Sequence, residues 1–136
     1  MTGEGYAFSV PGNWTMTRTA RSREASHGIE VVSVTRFPLL RTYRPALWSE
    51  VVPEIDRSAA GIASDQHGVV TGRATVTIAG EQARRYDVAY ERDGKRLVER
   101  LGFVLHGRIE YELLCRFERG KSASGCALLF GSFRLT

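Results

Sequence analysis

The sequence contains no apolar run near the roughly 18 residues that a membrane-spanning helix needs. It also has no block of like charge and no low-complexity tract. Cysteine is scarce, with only Cys115 and Cys126. Their spacing matches neither CxxC nor a zinc pattern and no histidine lies close in sequence, which argues against a local structural metal site. Lysine is almost missing: of 19 basic residues only Lys95 and Lys121 are lysines, and the rest are arginines. The opening MTGEGYAFSVPGNW has no basic region followed by an apolar stretch, so the chain as given carries no signal peptide. No catalytic or cofactor motif is present, and no cofactor is expected.

What is there describes one ordinary domain over residues 1–136, long enough to bury a core and too short for two. With 43% hydrophobic and 10% aromatic residues, the chain is too apolar to be disordered. The net charge is +4 and the pI about 9.4. A nucleic-acid binder would gather that charge on one face or helix. Here the arginines run from Arg18 to Arg134 and often alternate with acids, as in YERDGKRLVER, so a solvated, salt-bridged surface is the expectation.

Alternation marks Tyr6 to Val10 as a short strand ended by Pro11-Gly12, and Thr15 to Thr19 as a second. Thr19 to Gly28 reads as an exposed loop or edge hairpin, and the β-branched run from Ile29 to Phe37 as a strand. Between Arg44 and Ala63, Leu47, Val51, Ile55, Ala59 and Ile62 recur at helical spacing. Pro45 suits a first helical position. Pro53 conflicts with a straight helix, so the helix bends there or a short turn precedes a helix starting at Pro53.

Strands follow over Val69 to Ala79, Ala83 to Glu91, Leu97 to His106 and Ile109 to Phe117. Asp93-Gly94 is a two-residue hairpin signal. It sets Glu91 opposite Arg96, Asp87 opposite Arg100, Tyr90 opposite Leu97 and Tyr86 opposite Leu101, a register that the opposed charges favour. A final helix carries Ala127, Leu128, Leu129, Phe130 and Phe133 as its apolar surface, with Ser122 or Ser124 as its cap. Strands joined by tight turns, with helices packed on them, give an α+β fold with an antiparallel sheet.

Candidate chemistry is sparse. His27, His67 and His106 each lie beside a glycine in separate segments, with no pairing suited to a metal. Gly120-Lys121-Ser122 lacks the first glycine of a phosphate loop, and no serine sits in a G-x-S-x-G elbow. Glu110 and Glu112 share one strand face, where Arg108 and Arg116 are expected to neutralise them as a surface ladder. The remaining feature is FPLLRTYRPALW, in which Leu39, Leu40, Arg41, Tyr43, Arg44 and Trp48 mix large apolar groups with arginine as interface cores do. Its ordinary reading is a loop that buries these side chains as core. Its functional reading is a groove that receives a peptide, protein or lipid. Cys115 and Cys126 leave two options, buried free thiols or one disulfide; the disulfide is favoured and implies an oxidising compartment.

The opening Gly5-Tyr6-Ala7-Phe8-Ser9-Val10-Pro11-Gly12-Asn13-Trp14 resembles the start of domains of the Mog1/PsbP-like superfamily, including the bacterial DUF1795 and LpqN-like groups. Ile78-Ala79-Gly80 followed by Ala83 to Tyr86 is similar to their central turn. Tyr111 to Leu114 and Ser132-Phe133-Arg134 are similar to their close. The resemblance implies an antiparallel sheet with helices on both faces, an α/β/α sandwich, in members that are mostly not enzymes. It also implies a cysteine in the last strand and one in the final helix, as secreted actinobacterial members have, and these match Cys115 and Cys126.

The expectation is therefore a non-enzymatic binding or accessory domain that recognises a protein or small apolar ligand through Leu39 to Trp48. It has no membrane span, and its oligomeric state is open. Export, with a leader absent from the chain as given, is favoured over the cytoplasm. One alternative is an enzyme of unrecognised mechanism, which would need a histidine brought together with Cys115, Cys126 or a glutamate in one pocket. The other is a basic polyanion-binding module, which would need arginines collected on one face.

Overall fold

The computed structural model describes every residue from Met1 to Thr136. Strands β1 (Thr2–Gly3), β2 (Tyr6–Ala7), β3 (Thr15–Arg18), β4 (Ser22–His27) and β5 (Glu30–Pro38) lead to helix α1 (Trp48–Asp65). Strands β6 (Val69–Ile78), β7 (Glu81–Arg92), β8 (Lys95–His106) and β9 (Ile109–Glu118) follow, then helix α2 (Ser124–Ser132) and strand β10 (Arg134–Leu135). Seven strands form one antiparallel sheet in the order β3-β4-β5-β9-β8-β7-β6, and β1, β2 and β10 form a small second sheet. The fold is α+β, with one helix on each face of the large sheet.

The β7–β8 hairpin has the register expected from its turn, with Glu91 opposite Arg96, Asp87 opposite Arg100, Tyr90 opposite Leu97 and Tyr86 opposite Leu101. Asp93 and Gly94 both take positive φ, 53° and 75°, as the tight turn demands. Arg100 Nε lies 2.8 Å from Asp87 Oδ1 across the two strands.

Period-2 alternation sorts the side chains into two cores. On β8, Leu97, Leu101, Phe103 and Leu105 face α1, where they pack with Val51, Ile55, Ala59 and Ala63. Val104 faces the other way, toward Val32, Val34, Tyr111, Leu113 and the α2 residues Cys126 and Leu129. Gly102 permits the second contact: a Cβ there would come within 2.7 Å of the Phe130 ring. Cys115 of β9 and Cys126 of α2 are bonded in a disulfide, with Cα atoms 5.3 Å apart, so α2 is tied covalently to the sheet.

Several local expectations change. The Tyr6 to Val10 strand shortens to Tyr6–Ala7, because it pairs with only two residues of β1 and of β10. Of the two readings of Thr19 to Gly28 the edge hairpin holds and the exposed loop does not: β4 pairs with the edge strand β3, and its Ala25 is fully buried. A 3-10 turn at Pro45–Leu47 precedes α1, which starts at Trp48 and runs through Pro53. Pro53 lies on the exposed side, where the carbonyl one turn earlier is open to solvent. On α2, Gly125, Cys126 and Leu129 are buried while Ala127 and Leu128 are exposed. Ala123, not a serine, is at the cap, and the Ser124 amide donates to Ser122 Oγ at 3.3 Å.

Candidate functional site

A helix with its side chains is about 10 Å across and strands lie about 4.8 Å apart, so one helix covers about two strands. Helix α1 lies over β6 and β7, and α2 lies over β9 and β5 on the opposite face. On the α1 side, the β9–β5 half of the sheet is therefore left open beside the helix. Two adjoining depressions, of about 480 and 380 Å³, form a groove there.

One wall is the flank of α1, where Val51, Ile55, Ser58 and Ile62 follow one another at helical spacing. Leu105, Phe103 and Phe37 supply apolar surface from the sheet. The segment from Pro38 to Tyr43 makes the lip. It is fixed to the β8–β9 turn by backbone hydrogen bonds, from Leu39 N to Arg108 O (2.8 Å) and from Tyr43 N to Gly107 O (2.7 Å). Tyr43 is buried, and burial followed by the charge of Glu81 raises its hydroxyl pKa. Leu40 is fully exposed at the rim of the first depression.

Of the residues expected in this site, Leu39, Leu40, Arg41 and Tyr43 line the groove. Arg44 caps the 3-10 turn outside it. Trp48 is half-buried against the α1-side core, also away from the lining. Arg41 is held by Glu50, Nη2 to Oε2 at 2.9 Å.

Glu110 and Glu112 are not a neutralised surface ladder. Both line the groove half-buried, and no arginine, lysine or histidine lies within ion-pair distance of either. The arginines expected to pair with them are engaged elsewhere. Arg108 donates to the Leu40 carbonyl at 3.4 Å, and Arg116 to that of Ile29 at 3.0 Å. Burial raises the pKa of Glu110. Burial, and then the charges of Glu110 and Glu99, push Glu112 up to about 7. The pair was visible in the sequence as an alternation; what was missing was that their cross-strand neighbours are not basic.

Among the other chemistry-bearing residues one histidine meets an acid, at an exposed pair outside the groove. His27 stacks on Trp14, His106 Nδ1 lies 2.9 Å from Glu81 Oε1, and His67 sits at a positive-φ position after α1. None of the three lines the groove. Arg36, Arg41, Arg73, Arg84, Arg96 and Arg100 each lie within ion-pair distance of an acid. No helix is long and apolar enough to cross a membrane.

No protein-family model matches this chain, and no curated protein matches it in sequence. Solved structures do match in fold. A protein of Bacteroides thetaiotaomicron aligns over 97% of this chain with a TM-score of 0.67 at 12% identity. This chain spans 45% of that longer one. LpqN of Mycobacterium tuberculosis, described as involved in cell envelope biogenesis, aligns over 96% of this chain and 83% of its own, with a TM-score of 0.57 at 11% identity. At such identities the likeness establishes a shared fold.

Proposed function

We propose that this chain is a non-enzymatic accessory domain, of Mog1/PsbP-like kind, that holds the apolar part of a small ligand in the groove beside α1. The observation that carries the reading is the fully exposed Leu40 on the lip of a 480 Å³ depression lined by Leu39, Tyr43, Leu47, Val51, Ile55 and Leu105. Volumes of a few hundred Å³ with mostly apolar lining are those of small-ligand sites. Ser58 Oγ donates to the Glu54 carbonyl at 3.2 Å and no histidine lines the groove, which supports a site that holds a ligand. LpqN shares the fold and is involved in cell envelope biogenesis, and the disulfide fits an oxidising compartment, so an exported, envelope-associated role is part of the proposal.

The test uses N-phenyl-1-naphthylamine, a neutral apolar fluorophore. Saturable binding is expected, with affinity lowered about fivefold or more by Ser58→Trp, which fills the shared centre of the two depressions. Absence of binding, or binding that Ser58→Trp leaves unchanged, would overturn the reading.

A further inference from the structure

We infer that the groove selects a small cationic amphiphile, with an alkyl or aryl body against Leu39, Val51, Ile55 and Leu105 and an ammonium group at Glu110 and Glu112. The inference rests on the groove being the binding site, and it adds the charge of the ligand.

The argument is one of charge complementarity. In an antiparallel sheet, a glutamate is stabilised by a basic residue directly across on the strand beside it. Glu110 has Leu105 on one side and Phe37 on the other, and Glu112 has Phe103 and Thr35. Neither carboxylate can be answered from within the sheet. The helix wall offers only Glu54, Ser58 and Asp65; at the lip the Arg41 guanidinium is taken by Glu50, and that of Arg108 donates to the Leu40 carbonyl. A chain of net charge +4 thus presents an acidic groove. Half-buried carboxylates without a partner cost free energy in the empty protein, and a cation arriving with the ligand offsets that cost. Two adjoining depressions of about 480 and 380 Å³ suit a small molecule, with the apolar lip in the first, Glu110 shared by both and Glu112 in the second.

Displacement of N-phenyl-1-naphthylamine at pH 8 by n-decylammonium, 1-decanol and n-decanoate, each below its aggregation limit, separates the possibilities. The expected result is that decylammonium binds about tenfold more tightly than decanol, with decanoate weakest. The preference should collapse in the Glu110→Gln, Glu112→Gln double variant while decanol affinity stays within about twofold. Those substitutions keep the side-chain shape, and a retained melting transition confirms folding. Equal displacement by all three ligands, unaffected by the double variant, overturns the charge inference and leaves the groove reading intact. Displacement by a basic peptide but not by decylammonium overturns it in favour of a peptide partner. If the fluorophore itself does not bind, the groove reading fails and the inference fails with it.

Discussion

Glu112 of β9 stands directly opposite Phe103 of β8, an acid beside an aromatic ring with no cation to answer it. Its burial, with the charges of Glu110 and Glu99, raises its pKa to about 7, above the usual carboxylate value of 4.5. The folded state therefore holds this proton more tightly than the unfolded chain does. The stability linked to it is fully present below about pH 4.5 and is lost as pH rises through 7. Chemical denaturation of the wild type should show folding free energy falling by about 2 kcal/mol between pH 5 and 8, allowing for solvent in the groove. Glu112→Gln should flatten that slope and be the more stable protein at pH 8.

The same proton reports on the ligand. A cation favours the charged carboxylate, so decylammonium affinity should fall as pH drops below 7, while decanol affinity should hold constant. The groups facing Glu112 are Glu110 beside it, Glu99, Phe103 and Leu105 from β8, Phe37 and Thr35 from β5, and Asp65 and Ser58 from α1. Calorimetric titration at pH 6 and pH 8 reads both affinities.

Helix α1 keeps its place as the groove wall through Asp56. Arg84 Nη2 lies 2.9 Å from Asp56 Oδ1, and the Tyr86 hydroxyl donates to the same oxygen. Burial works to raise the Asp56 pKa, but the hydrogen bonds from Tyr86 and Arg84 and the charges of Arg84 and Arg73 outweigh it, holding the carboxyl below its usual range. Asp56→Ala should cost about 2 kcal/mol, since it leaves Arg84 without its partner. Tyr86→Phe should cost about 1 kcal/mol. Urea unfolding measures both.

Leu40 and Trp48 lie in the same stretch of sequence but should behave oppositely. Leu40→Ser removes a fully exposed side chain, so stability should change by less than about 0.5 kcal/mol while fluorophore binding weakens. Trp48→Ala opens space beside the α1-side core and should cost about 2 kcal/mol, with little change in fluorophore affinity. Paired melting curves and fluorophore titrations check this.

Without reductant, in denaturant, alkylation should leave the mass unchanged, because Cys115 and Cys126 are bonded. Reduction should destabilise the protein by about 3 kcal/mol in the chain-entropy view of a short closed loop.

Much of the fold was legible because local chemistry decides it. Asp93-Gly94 sets a turn that few other residue pairs accept, and the opposed charges at Asp87 and Arg100 then fix the register. The helical spacing of Val51, Ile55 and Ala59 identifies the buried flank of α1. The groove was half legible. Leu39, Leu40, Arg41 and Tyr43 could be picked out as an apolar and basic segment, but Arg44 and Trp48 share that composition and point away. The acids stood out as a pair but read as a neutralised ladder, because spacing within one strand says nothing of its neighbours. Only the β5-β9-β8 order puts Phe37, Thr35, Phe103 and Leu105 around Glu110 and Glu112. Which half of the sheet α1 leaves bare is likewise a matter of packing, set in part by the Asp56 contacts with Arg84 and Tyr86.

Amide chemical-shift mapping during titration with decylammonium at pH 8 tests the central claim most directly. The groove account predicts saturable shifts concentrated at Leu39 to Tyr43, on the Val51 to Asp65 flank of α1 and at Glu110 to Glu112. Shifts gathered instead on the α2 face around Leu128, or at the β3 edge around Met16, would contradict it.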